Sequence, residues 1–127
     1  MDNIKIKFKY LYRDAGYYMN WAEVVFSNPD RLAPETITQA LRTAFLQDGL
    51  FIAHQVFIPE AFFFSERGAT SDDHCFHEFD SVEASHATAT DKRSRSIGQF
   101  VSEVEGEAAR GWVAFDPHDR APQRILD

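Results

Sequence analysis

One cysteine, Cys75, among 127 residues excludes an intramolecular disulfide and gives no sign of an oxidising compartment. Long apolar runs are missing: none approaches the ~20 residues needed to cross a bilayer. Met1-Asp2-Asn3, followed by alternating lysines, has neither the apolar stretch of a secretory leader nor the glycine of a myristoylation site. The six glycines are scattered, with no P-loop and no GxGxxG to cradle a phosphate. There is no paired CxxC, no HExxH and no EF-hand loop. Basic residues are the minority, 13 against 20 acidic, and the formal charge is −7. An acidic protein repels phosphate backbones at long range, which disfavours extended nucleic acid as a partner. From these absences we expect a cytoplasmic protein with no membrane contact and no cofactor.

What is present is apolar and aromatic. Hydrophobic residues make up 44% and aromatic residues 14%, twelve of them phenylalanine, which is not the composition of a disordered chain. A chain of this length buries roughly 65–70% of its unfolded surface, enough for one core without metal or disulfide staples. The expectation is a single domain over residues 1–127, with a loosely ordered tail from Asp116.

Ile4, Ile6, Phe8, Tyr10 and Tyr12 alternate with Lys5, Lys7, Lys9, Leu11 and Arg13. That period of two predicts a strand with one buried and one wet face. Asp14-Ala15-Gly16 supplies a turn, Gly16 being the residue able to take positive φ. A second strand is expected over about Tyr17 to Ser27, with Ala22, Val24 and Phe26 on one face and Trp21, Glu23 and Val25 on the other. Asn28-Pro29-Asp30 ends it. Pro34 and Glu35 open a helix whose Ile37, Ala40, Leu41, Ala44 and Phe45 form one apolar stripe, stopped at Asp48-Gly49. A third strand is expected at about Leu50 to Ile58, apolar on both faces and ended by Pro59.

Phe62-Phe63-Phe64 fits either a continued strand or a loop anchor, and residues 65–73 read as an exposed connection. His74 to Val82 is the expected fourth strand. A second helix is expected from about Ser94 to Ala109, with Ile97, Phe100, Val101, Val104 and Ala108 on its stripe and Gly111 at its end. Trp112 to Phe115 reads as an extended segment that docks. The order ββαββα, with one apolar stripe per helix, predicts an α+β two-layer sandwich. It would hold a four-stranded, mostly antiparallel sheet with both helices on one face.

Strand parity then assigns residues to the uncovered face. The first strand presents Lys5, Lys7 and Lys9, and the second Trp21, Glu23 and Val25. The third presents Phe51, Gln55 and Phe57, and the fourth His74, Phe76, Glu78 and Asp80. The lysines would complement Glu78 and Asp80 if the first and fourth strands are neighbours. Trp21, Val25, Phe51, Phe57 and Phe76 make a large apolar patch that something should cover. The function read from this is a small acidic binding module, a homodimer or the partner of another protein. Its partner-binding residues are Trp21, Phe51, Phe57, Phe76 and Lys7.

The densest reactive stretch is SDDHCFHEFD, residues 71–80. An alternative function, a nucleotide-like small-ligand binder or acid–base hydrolase, would use His74, His77 and Glu78 with Lys7 as cation. Zinc would accept Cys75 and His77, but on a strand His74 points the opposite way, so no metal is expected. A Cys75–His nucleophile competes with a buried structural cysteine, and no oxyanion-hole loop supports the nucleophile. His54, in an apolar strand, reads as a hydrogen-bonded core histidine. A second alternative is an acidic decoy that blocks a nucleic-acid-binding protein through Asp72, Asp73, Glu78, Asp80 and Glu83.

Overall fold

In the computed structural model, residues 4–62, 69–71 and 73–119 are described. Strand β1 (Lys5–Arg13) turns into β2 (Met19–Phe26), followed by helix α1 (Pro34–Ala44). A 3-10 turn (Gln47–Gly49) leads into the two-residue strand β3 (Leu50–Phe51), and a second 3-10 turn (Ala53–Val56) follows. Strand β4 (His77–Ser85) and helix α2 (Ile97–Arg110) complete the regular elements, with a last 3-10 turn at Pro117–Asp119. The four strands form one antiparallel sheet in the order β2-β1-β4-β3, so the molecule is α+β.

The alternation in β1 does what its period demands. Ile6, Phe8, Tyr10 and Tyr12 are fully buried, while Lys5, Lys7 and Lys9 on the reverse are only half covered. Phe26, Val24 and Ala22 stand opposite Ile6, Phe8 and Tyr10, so they share the core face. Ile37 and Leu41 of α1 and Ile97, Phe100, Val101 and Val104 of α2 belong to the same buried cluster. Phe8 sits at its centre, with its ring against those of Tyr10, Phe45, Phe51, Phe79 and Phe100. A smaller cluster of Tyr12, Ala61 and Phe62 extends the core toward the β1–β2 turn.

The two helices are fixed at their ends by different means. At α2 the Ser96 hydroxyl accepts from the Gln99 N–H and the Gln99 side chain accepts from the Ser96 N–H, a complete capping box. At α1 the cap residue is Ala33, and Pro34 at the first turn and Glu35 beside it supply the start signal instead. The helix ends at Ala44 rather than at Asp48-Gly49. Phe45 leaves helical geometry (φ −75°, ψ 162°) to stack on Phe51, with ring centroids 4.7 Å apart.

The expected third strand is where the sequence reading fails most. Only Leu50 and Phe51 pair with β4, opposite Glu78 and His77, and the chain then coils through Ala53–Val56. Ile52, Ala53, Val56 and Ile58 are all buried, and a run apolar on every side does not distinguish a strand from a buried turn. The expected fourth strand starts three residues late, at His77, and runs on to Ser85. Its ladder with β1 contains a bulge. Lys9 stands opposite Ser81 and Tyr10 opposite Phe79, so Asp80 is the extra residue on β4. The second helix begins at Ile97 rather than Ser94 and ends before Gly111, whose φ is 107°.

Trp112 docks as expected of its segment, but on the helix side. Its indole N–H donates to the Ala44 carbonyl and its ring packs on Phe45. Phe63 and Phe64, residues 65–68, Asp72 and the tail from Arg120 lie outside the described residues.

Candidate functional site

Four large, exposed apolar side chains, including the two most exposed among the described residues, gather on the β1–β2 hairpin. Asp14 builds its turn: one carboxylate oxygen accepts from the N–H groups of Gly16 and Tyr18 at 2.9 and 3.0 Å. The Tyr17 N–H bonds the Asp14 carbonyl, and the Asp14 N–H bonds that of Tyr18. Asp14 itself is buried. The left-handed residue is Tyr17 (φ 66°), not the expected Gly16, because the Asp14 side chain holds the turn in that shape. Tyr17 is 76% exposed, Tyr18 73%, Met19 46% and Trp21 54%. Together they form an apolar ridge from the turn onto the reverse face of β2.

Beyond this ridge the reverse face is charged and internally neutralised. Lys7 pairs with Glu23 on β2 at 3.8 Å, and Lys9 with Glu83 on β4 at 3.9 Å. Arg13 holds Glu78 by two parallel N–H···O bonds of 3.1 Å, and the carboxylate raises the arginine pKa further. β1 and β4 are neighbours, but the lysines meet Glu23 and Glu83, because Glu78 is taken by Arg13 and Asp80 sits in the bulge beside Ser81. Each such half-exposed pair contributes about 0.2–1 kcal/mol. Leu11 and Val25 are buried in this face, so the apolar surface left over is smaller than parity alone implied.

The five expected partner-binding residues separate. Trp21 and Lys7 do lie on the reverse face. Phe51 does not: it is fully buried against Phe45 and Phe8, since its pairing with His77 turns it into the core. Phe57 is off the sheet altogether, in a left-handed conformation (φ 59°) after the second 3-10 turn, 54% exposed and with the Arg93 guanidinium 4.1 Å from its ring centroid. Gln55, expected on the open face, faces α2 instead, donating to Glu107 and to the Gly111 carbonyl.

Of the reactive stretch, His74, Phe76 and Glu78 come together with Arg13, Asp14 and Leu50 around a depression of about 260 Å³. Their polar atoms are bound internally. The His74 Nε2 lies 2.7 Å from the Arg13 carbonyl, which can only accept, and its Nδ1 accepts from the Phe76 N–H at 3.1 Å. His74 is therefore the neutral Nε2–H tautomer, held by backbone on both sides. Its own N–H donates to the Tyr12 hydroxyl, which donates to Asp73 at 2.6 Å. Burial and that carboxylate push the Tyr12 phenol well above its ordinary pKa.

His77 is on the other side of the sheet, completely buried, its Nε2 accepting from the Ala61 N–H at 2.8 Å. It shares no space with Lys7. Cys75 is buried. Among the described residues no three His, Cys, Asp or Glu side chains are placed to hold a metal ion. His54 is not a core histidine; it lies on the outside of the 3-10 turn, 3.3 Å from Glu60. Of the acidic set, Asp73 bonds Tyr12 and Thr70, Glu78 bonds Arg13, Asp80 bonds Ser81 and Glu83 pairs with Lys9.

Two groupings escaped the sequence reading. The first is the exposed Tyr17–Tyr18–Met19 run, for which the signal was present: three large apolar residues directly after a turn, before any alternation begins. The second is a buried ionic hub at Arg95, whose local signal was the Asp91–Arg95 spacing of four but whose burial against Val56 and Phe57 left no local trace. Arg95 bonds both carboxylate oxygens of Asp91, one of Glu103, and the carbonyls of Val56 and Phe57. Burial acts to lower the arginine pKa, but Asp91 and Glu103 outweigh it and the net direction is upward. Burial likewise acts to raise Asp91, and the Arg95 hydrogen bonds reverse it, leaving the carboxyl below its usual range. Comparison with known proteins finds no matching family model, no matching curated protein and no matching solved structure.

Proposed function

We propose that the chain is a protein-binding module, a two-layer ββαββα sandwich with both helices on one face, that docks through the apolar ridge of its hairpin. The partner tested first is a second copy of itself. The observation that carries this reading is the exposure of Tyr17, Tyr18, Met19 and Trp21 side by side, while equally large residues elsewhere in the sheet are buried. Aromatic side chains and methionine are the types enriched where proteins dock, because they bury much area at small entropic cost. The neutralised charges around the ridge fit a polar rim.

The test is molar mass by light scattering across a range of concentrations, for the natural chain and for Tyr18→Ser/Trp21→Ser. Self-association that the double variant abolishes supports a homodimer. A monomer that loses retention of a co-purifying protein on the same substitution supports a different protein partner. If the double variant changes neither mass nor retention, the ridge is not a docking surface.

A second reading, a small-ligand or acid–base site at His74 and Glu78 with Phe76, is favoured by one observation, their shared depression beside Arg13. Ligand binding there would have to displace the Arg13–Glu78 pair or the His74 backbone bonds. Glu78→Gln should then change ligand affinity while leaving the melting temperature within a few degrees.

A further inference from the structure

At the opposite end of the sheet from the hairpin, where β1 begins and β2 ends, the chain leading into α1 helps line a half-open cavity of about 770 Å³. That volume lies in the range of small-molecule sites, roughly 300–1,000 Å³. Ile4, Ile6, Leu32 and Pro34 supply apolar lining, and two cations, Lys5 and Arg31, stand among them.

The charge pattern of β1 singles this place out. Lys7, Lys9 and Arg13 each have a carboxylate partner. Lys5, the next in the same row, stands opposite Ser85. Among the described residues neither Lys5 nor Arg31 makes an ion pair, although the protein carries −7 overall. Arg42, Lys92 and Arg93 also make no ion pair among the described residues; what marks Lys5 and Arg31 is that both line one cavity beside apolar side chains, and that pairing defines the chemistry of what would fit.

The wall that carries Arg31 is held in shape. The Asn28 side chain donates to the Leu32 carbonyl and accepts from the Leu32 N–H, both at 3.0 Å, and the Arg31 N–H donates to the Asn28 carbonyl at 3.1 Å. Arg31 is thereby fixed in the left-handed region, at φ 55°, which a residue with a long side chain rarely adopts. Such backbone persists where the surroundings over-determine it, and it is found preferentially at binding sites.

We propose that this cavity binds a small amphipathic anion with a single charged head, its apolar body against Ile4, Leu32 and Pro34 and its head at Lys5 and Arg31. A carboxylate or a phosphomonoester head meets that description equally. A polyanion does not, because the flanking Asp30 and Glu35 and the net charge repel a second cluster of negative groups.

The test is calorimetric titration of the full chain at low salt with octanoate, octyl phosphate and the neutral octanol. The expected result is saturable 1:1 binding of at least one anion, with octanol about fivefold weaker or more. Whichever anion binds more tightly identifies the head. Lys5→Ala and Arg31→Ala should each weaken the anion severalfold and leave octanol unchanged. Arg31→Gly removes the charge while relieving the left-handed backbone, so its loss of binding cannot be ascribed to misfolding. Equal affinity for octanol and the anions, undiminished binding in the variants, or no saturable binding of either anion would overturn the proposal. Any of those outcomes leaves the hairpin ridge as it was.

Discussion

Arg95 concentrates more of the fold in one side chain than any other polar residue described. Its guanidinium is 95% covered, lies 5.2 Å from the centroid of the Phe100 ring, and ties α2 and its approach to the carbonyls that close the second 3-10 turn. Removing one partner of a buried pair leaves the other charge without compensation. Arg95→Ala should therefore destabilise the protein by about 3–5 kcal/mol in urea unfolding. Lysine should not rescue it, since a single ammonium cannot span two carboxylates and two carbonyls. The pH dependence follows from Asp91. Its folded pKa is depressed, so its contribution is complete above the unfolded value near 3.9 and is lost as pH falls through the lower folded value. Asp91→Asn should flatten that acid limb of the stability curve as well as lowering the plateau. A buried Cys75 carries its own expectation: labelling by a thiol reagent should be slow in the native protein and immediate in denaturant. Fast native labelling would reopen the nucleophile.

At the scale of elements, what could be read in advance was what local chemistry decides. β1 is legible because its buried partners on β2 and the helices demand the same period that its sequence shows. The local signal for the start of α2, the Ser96/Gln99 capping box, sets it at Ile97 rather than at the expected Ser94, and Ser96→Ala should cost about 0.5–2 kcal/mol by thermal or urea melting. The segment after α1 was illegible for a physical reason. Leu50 to Ile58 is apolar throughout, and only the long-range fit of Phe45 against Phe51 and of Arg95 against Val56 and Phe57 decides where pairing stops. Misreading it put Phe51, Gln55 and Phe57 on the wrong surface together. The histidines were similarly opaque, because the backbone groups that hold them, at Arg13, Phe76 and Ala61, leave no trace in side-chain pattern. At the hairpin, the type of residue was visible but the exposure of Tyr17 and Tyr18 depends on the Asp14 turn. Asp14→Ala should loosen that turn. Hydrogen exchange at the Gly16 and Tyr18 amides should then rise, while amides in the centre of β1 stay protected.

Across the whole molecule, the sheet separates an aromatic interior from a face on which Lys7, Lys9 and Arg13 are paired, and the exposed hairpin ridge and the cavity at Lys5 and Arg31 lie at its opposite ends. At the hairpin end Tyr17, Tyr18, Met19 and Trp21 are exposed; at the other Lys5 and Arg31 line the cavity without an ion pair among the described residues. The separation requires that Asp80 be bulged out of the ladder. Were Asp80 instead paired in step, Tyr10 would stand opposite Asp80 and Leu11 opposite Phe79, driving carboxylates inward and a benzyl group into water. Excising Asp80 from the chain therefore keeps every flanking side chain on its own side and yields a straighter ribbon, which circular dichroism and melting should find folded. Inserting one alanine after Lys7 does the reverse, exchanging inside for outside along half of the first strand, and should leave no cooperative melt. One residue can thus be given up at the bulge, whereas two residues away along the partner ribbon one cannot be added.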